Sequence, residues 1–420
     1  MLNLNDNYIC ALDVGSSKIS ACLAQLKGRS LESIIFDTVP SKGVKQGAVV
    51  DSIELVGAIG KLIKNLRTKS GIKIKLIYTN VSGLDITTKR SRAIIPLAER
   101  GNKVITASDI EQVNEQARIL GSSLEEEIIH IIPSSYTIDS KSGITNPIGL
   151  YSHKLEVDLY LICIKLSSLQ SLTRVINQSG LEIKDLFFSG MISSSAVFGT
   201  ELNAGINLFC DIGSDITELL IFSNGILKDI EILPFGGDNL TLRICDELKI
   251  PFELAEDIKR SYGIIGVAQN IPEDKEILVK KSNLYKPIKQ RMVSEIITAS
   301  AAHICAQIKQ AIDRKVSSYE VDNLFVVGRT VLLEGFIEML ENKIEIPVKL
   351  GRINDPRIVA MIKEDHALAG PKYLTYLTAL SMLSEVIRNK PTGIIPAYKP
   401  AKNLILKAVN RFREVYQEYF

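Results

Sequence analysis

No uninterrupted apolar run in this chain reaches the roughly 18 residues a membrane-spanning helix requires, so any contact with a membrane is expected at its surface. Met1 to Tyr8 carry neither a basic stretch nor an apolar core, and no secretory signal peptide is expected. None of the six cysteines, Cys10, Cys22, Cys163, Cys210, Cys245 and Cys305, belongs to a CxxC pair, and most sit among apolar neighbours. That pattern fits buried, reduced thiols in a cytosolic protein. The four histidines, His130, His153, His303 and His366, lack metal-ligand spacing, so no zinc site is expected. An excess of one charge is missing too. Lys and Arg number 50 against 48 Asp and Glu, a net of +2, which argues against a nucleic-acid binder. With 46% hydrophobic and 23% charged residues over 420 positions, the chain can fill two or three globular domains.

An internal echo organises it. Cys10-Ala11-Leu12-Asp13-Val14-Gly15-Ser16-Ser17-Lys18 returns as Phe209-Cys210-Asp211-Ile212-Gly213-Ser214-Asp215, offset by 198 residues (211 minus 13). Each copy leaves an apolar strand, continues into a second strand and reaches a turn, Lys27-Gly28 in the first and Asn224-Gly225 in the second. An Asn-Gly pair between apolar runs is a strong hairpin signal. Two long halves that open alike predict a duplicated α/β fold rather than a short repeat array.

Each half is interrupted. Residues 87–165 hold a helical stretch, Ser108 to Ala117, with Ser108 as candidate N-cap and Glu111 three residues on. Strand-like runs follow at Glu127 to Ile132 and Lys154 to Lys165, separated by turn residues Asp139 to Gly143 and Asn146-Pro147. This reads as an inserted α+β module. From Thr241 to about Tyr319 the pattern is mainly helical, and Asn323 to Gly328 reads as a buried strand returning to the parent sheet. A proline-punctuated linker, 389–402, precedes a last helix, 403–420.

The chemistry sits in the echoed turns. Glycine lets the backbone approach a ligand so that successive N–H groups point at phosphate oxygens. Asp13 and Asp211, just before the turns, suit a hydrated Mg²⁺, and Lys18 can add a point charge. Gly15, Ser16 and Ser17 form the first candidate phosphate turn; Gly213 and Ser214, with Thr217 on the strand beyond, form the second. Facing turns from two half-domains would clamp a triphosphate, and a nucleotide with Mg is the expected ligand.

The pair resembles the phosphate-1 and phosphate-2 motifs of the actin, sugar-kinase and Hsp70 fold, ribonuclease H-like in topology. Phe235-Gly236-Gly237-Asp238 looks like the Gly-Gly turn of actin-like proteins, and Ala255-Glu256-Asp257-Ile258-Lys259 with Tyr262-Gly263 resembles a bacterial-actin segment. Glu256 and Lys259 share a helix face and are either ribose contacts or a surface ion pair. Val326-Val327-Gly328-Arg329-Thr330 resembles the adenosine motif, with only Gly328 left of its glycine run. Two readings stay open there: Arg329 stacks on the adenine, or Arg329 and Thr330 crowd it.

The resemblance is closest to the cell-division family FtsA. Ile129-His130-Ile131-Ile132-Pro133, Tyr136-x-Ile138-Asp139 and Gly143-Ile144-x-Asn146-Pro147-Ile148-Gly149-Leu150 look like its subdomain 1C. The implied layout is subdomain 1A at 1–86 and 166–207, 1C at 87–165, 2A at 208–241 and 324–388, and 2B at 242–323. The resemblance also implies self-association into filaments, contacts with other division proteins through 1C, and docking of the FtsZ tail on 2B. The arginine usual after a Glu-Ile-Ile run there is absent, since Glu295-Ile296-Ile297 leads to Thr298-Ala299-Ser300; Arg291 and Lys309 are the candidate substitutes.

In 403–420 the apolar positions Ile405, Ala408, Val409, Phe412, Val415, Tyr416 and Tyr419 form a helical stripe. On a tether, such a helix can lie in a lipid headgroup region instead of packing in a core. The expectation is therefore an ATP-binding polymer, with at most slow hydrolysis, peripheral to the cytoplasmic face of the inner membrane at the division septum. A small-molecule kinase or a pilus-assembly relative is the alternative. A kinase needs a carboxylate base beyond the two turns, and none stands out.

Overall fold

Apolar residues at almost every position make Tyr8–Val14 (β1) a strand buried on both faces, the signature of a sheet centre. The computed structural model describes residues 7–28, 30–98, 101–199, 204–266, 271–273, 275–281, 284–364 and 370–388. The linker 389–402, the amphipathic stretch 403–420 and His366 lie outside the described residues. The described chain forms two units, the first running to Ile192 and taking in Ile226–Lys228 and the residues from Thr378, the second holding Ser193–Gly225 and Asp229–Leu377.

In the first unit β1 pairs antiparallel with Lys18–Lys27 (β2), which pairs with Ser30–Pro40 (β3). Ser52–Ser70 (α1) buries Leu55, Ile59, Leu62 and Leu66 on one face; Asp51 caps its start, accepting from the Ile53 and Glu54 amides, and left-handed Gly71 ends it. The chain then enters Leu76–Val81 (β4), parallel to β1.

The insert begins with Ile86–Pro96 (β5), then Ala107–Gly121 (α2), Glu126–Ile138 (β6), Lys141–Ile144 (β7) and Lys154–Lys165 (β8). Its four-stranded sheet has the order β7-β6-β8-β5. Val113 and Ala117 of α2 join Ala93, Ile95, Leu155, Val157, Leu159 and Leu161 in one buried cluster. The helix is capped by Thr106, not Ser108: its hydroxyl accepts from the Asp109 amide while the Asp109 carboxylate accepts from the Thr106 amide, a reciprocal capping box. The β6–β7 turn places Asp139 and Ser140 both at positive φ, as a tight two-residue hairpin demands.

Leu166–Gln178 (α3) returns the chain to Glu182–Phe188 (β9), which completes a five-stranded sheet of order β9-β4-β1-β2-β3. Ser189–Phe198 (α4) then leads on. Ile206–Ile212 (β10), Thr217–Ser223 (β11) and Ile226–Leu233 (β12) form a meander that, apart from Ile226–Lys228, belongs to the second unit; the β11–β12 turn is Asn224-Gly225, both at positive φ. Gly237–Leu248 (α5) and Phe252–Tyr262 (α6) follow.

A hairpin, Glu276–Lys281 (β13) with Leu284–Lys289 (β14), interrupts the stretch read as mainly helical. Its short strands lie between two strongly helical segments, which masked them in the sequence. Gln290–Asp313 (α7), Val321–Val327 (β15), Phe336–Ile344 (α8), Val348–Leu350 (β16) and Pro356–Glu364 (α9) complete the unit. Its sheet order is β12-β11-β10-β15-β16. Both five-stranded sheets thus carry a three-strand antiparallel meander extended on the first strand's side by two parallel strands. Leu377–Arg388 (α10) falls almost wholly in the first unit, whereas the boundary drawn from the sequence assigned residues to 388 to the second half.

The insert is tied to the first sheet by His130, whose Nε2 accepts the Phe188 amide at 2.8 Å. Burial pushes this imidazole from 6.5 down to about 3. The unfolded chain therefore takes up a proton below about pH 6.5 that the folded chain refuses, and stability is lost as pH falls. Near pH 5 the expected cost is roughly 2 kcal/mol. His130→Gln keeps an acceptor and should flatten this acid limb, as thermal unfolding across that pH range would show.

Candidate functional site

In the first unit, Asp13 leaves the buried strand β1 with its residue only 5% exposed. A buried carboxylate must be paired and hydrogen-bonded. Its Oδ2 accepts from Lys18 Nζ and Ser20 Oγ, both at 3.1 Å, and its Oδ1 from Asn80 Nδ2 at 3.0 Å. Asn80, at the end of β4, also accepts the Val14 amide at 2.9 Å and donates to Ser189 Oγ at 2.7 Å. Asn80 is a site residue the sequence reading missed, because 67 residues separate it from Asp13. Lys18, expected on a phosphate, here holds Asp13.

The turn itself is closed by Gly15, whose amide donates to the Lys18 carbonyl at 3.1 Å; a Cβ at Gly15 would sit 3.1 Å from that oxygen. The Ser16 hydroxyl accepts from the Gly47 amide at 3.4 Å, and the Ser17 carbonyl from the Ser41 amide at 3.1 Å.

In the second unit three loops converge on the corresponding turn. The Gly213 amide donates to the Ile216 carbonyl at 3.0 Å, as at Gly15. The Gly213 carbonyl accepts the Gly237 amide at 2.9 Å, and the Ser214 carbonyl accepts the Asp238 amide at 2.6 Å. A Cβ on Gly236 would lie 2.6 Å from the Gly213 carbonyl oxygen, so only glycine allows this approach. Gly328, at φ +93°, brings the third loop in: a Cβ there would stand 2.2 Å from the Ile212 carbonyl oxygen and 2.9 Å from Asp211 Oδ1. Thr217 is fully buried and donates to the Phe235 carbonyl at 2.8 Å, so it shapes the neighbouring loop instead of reaching outward.

The Glu256–Lys259 pair is not the surface ion pair that one reading allowed. Lys259 is 6% exposed, and its ammonium donates to the Gly237 carbonyl at 2.9 Å and Thr241 Oγ1 at 2.7 Å. It also pairs with Glu256, which accepts from the Thr241 hydroxyl and, at 2.7 Å, from Arg260. Burial pulls the Lys259 ammonium below its ordinary value, against the opposing pull of Glu256. Burial works to raise the Glu256 carboxyl, but Lys259, Thr241 and Arg260 outweigh it and hold it low.

Asp238, in the first turn of α5, joins this group. Burial pushes its carboxyl up; Lys259 and Arg329 pull it down, while Glu256 and Asp215 add to the rise. An acid directly after a Gly-Gly turn at a helix start was the available signal for it.

Two family descriptions match this chain. "SHS2 domain inserted in FTSA" covers residues 83–163, and "Cell division protein FtsA" covers 208–378. The chain belongs to the FtsA family of cell-division proteins. Among relatives named "Cell division protein FtsA", that of Buchnera aphidicola subsp. Baizongia pistaciae is 28% identical, over 83% of this chain and 84% of its own length. That of Bacillus subtilis is 27% identical, over 84% and 80%. Among solved structures, a PilM-PilN type IV pilus biogenesis complex is similar with a TM-score of 0.59 at 15% identity, over 90% of this chain and 98% of that one. Spiroplasma citri MreB 5 bound to AMPPNP is similar with a TM-score of 0.50 at 12% identity, over 92% and 99%. These likenesses show an actin-like α/β fold, here with the SHS2 insert of FtsA proteins.

Lys259→Met should lower stability by about 1–3 kcal/mol, because Glu256 keeps only Arg260 as a cation and the Gly237 carbonyl loses its closest side-chain donor. Adding Glu256→Gln should recover part of the loss. Urea denaturation of the two single variants and the double variant measures the coupling.

Proposed function

We propose that this FtsA-family protein binds ATP with Mg at its two D-x-G turns, self-associates, and links FtsZ tails to the cytoplasmic face of the inner membrane at the division site. The observation that carries the nucleotide reading is the recurrence of one arrangement. In each of two sheets with the same strand order, an aspartate on the first strand precedes a glycine turn closed by the same amide-to-carbonyl bond. The fit is chemical as well as topological. Gly15 and Gly213 sit where a Cβ would stand 3.1 and 2.9 Å from a backbone oxygen, and Asp13 and Asp211 are oxygen donors suited to a hydrated Mg²⁺. The MreB 5 relative in fold was solved with AMPPNP.

The residues proposed to bind nucleotide are Asp13, Gly15, Ser16 and Ser17 from the first unit, and Asp211, Gly213, Ser214, Gly236 and Gly237 from the second. Glu256 and Lys259 brace the Gly-Gly turn from behind, with Gly328 and Arg329 on the base side. The proposed layout keeps 1C at 87–165 and 2B at 242–323, with the FtsZ tail on 2B. The proposed substitutes for the absent arginine are already engaged: Arg291 pairs with Glu273 and Glu295, and Lys309 lies 3.7 Å from Glu345. An FtsZ tail would have to exchange those partners.

Calorimetric titration with Mg·ATP tests the site. Asp13→Ala or Asp211→Ala should each weaken binding by about tenfold or more, the scale of one lost charge-assisted contact. Unchanged affinity would remove that aspartate from the site. The membrane proposal rests on the stripe Ile405, Ala408, Val409, Phe412, Val415, Tyr416 and Tyr419. Deleting 403–420 should move the protein from the pellet to the supernatant when sedimented with anionic vesicles; continued pelleting would sink it.

A further inference from the structure

We propose that Thr330 is a positioning residue: its hydroxyl latches the loop after β15 onto the phosphate turn after β10 and so slows nucleotide release. This rests on the nucleotide reading above and goes beyond it, since it assigns a role to a residue that the sequence reading had only crowding the adenine.

Thr330 Oγ1 donates to the Gly213 carbonyl at 3.1 Å, across 117 residues of sequence. That carbonyl already accepts the Gly237 amide at 2.9 Å, so both of its lone pairs are used. Thr330 is 9% exposed, and its own carbonyl accepts the Leu333 amide at 3.2 Å, which anchors it in a short helical turn. The fit around the hydroxyl is close: a Cβ on Gly237 would lie 2.5 Å from Thr330 Oγ1. Gly328, two residues earlier on the same loop, packs against the Ile212 carbonyl. The loop therefore grips two consecutive peptides of the phosphate turn, one by contact and one by hydrogen bond.

The consequence follows from peptide planarity. In a trans peptide the C=O of one residue and the N–H of the next point in opposite directions. Holding the Gly213 carbonyl toward Thr330 and Gly237 fixes the Ser214 N–H on the opposite side of that plane. The Asp238 amide, donating to the Ser214 carbonyl at 2.6 Å, fixes the Asp215 N–H in the same way. The Ser214 N–H is thereby aimed before any ligand arrives, and a pre-aimed donor costs a ligand less ordering. A glycine at 330 would leave the Gly213 carbonyl with the Gly237 amide alone.

Thr330→Val keeps the shape and removes the donor, while Thr330→Ser keeps the donor and removes a methyl. The probe is a fluorescent N-methylanthraniloyl-ATP with Mg, displaced from the full chain by excess ATP in stopped flow. Thr330→Val should release it about five- to tenfold faster, as expected for one lost buried hydrogen bond, with association within about twofold of the parent. Thr330→Ser should release it close to the parental rate. Equal rates for parent and Thr330→Val, or equal losses in both variants, overturn the latch. Amide exchange of the ligand-free proteins gives a second readout: the Gly237 N–H should exchange faster in Thr330→Val and not in Thr330→Ser, and unaltered protection in Thr330→Val also overturns it. Parent protein that fails to bind the probe overturns the nucleotide reading itself, and the exchange data then judge the latch separately.

Discussion

A carboxylate that leaves a strand buried on both faces has to find all its partners within the protein or bring a cation with it, and Asp13 shows how much structure that demand organises. Lys18 supplies the charge, while Ser20 and Asn80 take up the remaining lone pairs. Because Asn80 also holds the Val14 amide and Ser189, one side chain ties the start of the turn to β4 and to the first residue of α4. A Mg²⁺ bound as proposed would therefore have to displace Lys18 from Asp13. The ion pair is partly exposed on its lysine side, 19% at the side chain, which leaves that exchange physically open.

The second unit builds its turn differently, with little side chain. Its turn is held by backbone: Cβ atoms on Gly213, Gly236 and Gly328 would stand 2.9, 2.6 and 2.2 Å from the carbonyl oxygens of Ile216, Gly213 and Ile212. Close backbone approach is stiff only when something behind it is stiff, and the buried Lys259 supplies that backing through the Gly237 carbonyl and Thr241. The pair Glu256–Lys259 thus spends its polarity inward, on the scaffold of the site. A buried ammonium is costly, and its cost is met by one carboxylate and two oxygen acceptors within hydrogen-bond reach.

How much of this was legible in the sequence depends on the range of the interaction. The duplication was readable because Asp13-x-Gly15 and Asp211-x-Gly213 are local words, and the sheets they open share one strand order. Asn224-Gly225 named its hairpin for the same reason, since two positive φ values are a local requirement. Asn80 was not readable, because nothing near it in the chain distinguishes it from any polar strand end. The choice of Thr106 over Ser108 as cap turned on Asp109, which completes a reciprocal pair that Glu111 cannot make with Ser108. Spacing put Glu256 and Lys259 on one face but could not say whether that face looked to water or to Gly237.

The departure at Arg329-Thr330 is the most instructive of these cases. Read locally, two side chains where glycines are expected look like an obstruction in the base pocket. In three dimensions Thr330 points at a carbonyl instead, and Arg329 lies near enough to Asp238 to oppose the rise that burial imposes on its carboxyl. Gly328 keeps the one position at which a left-handed φ and a 2.2 Å approach leave no choice of residue. The loop has thus kept glycine where the backbone demands it and used the next two positions for a donor and a cation.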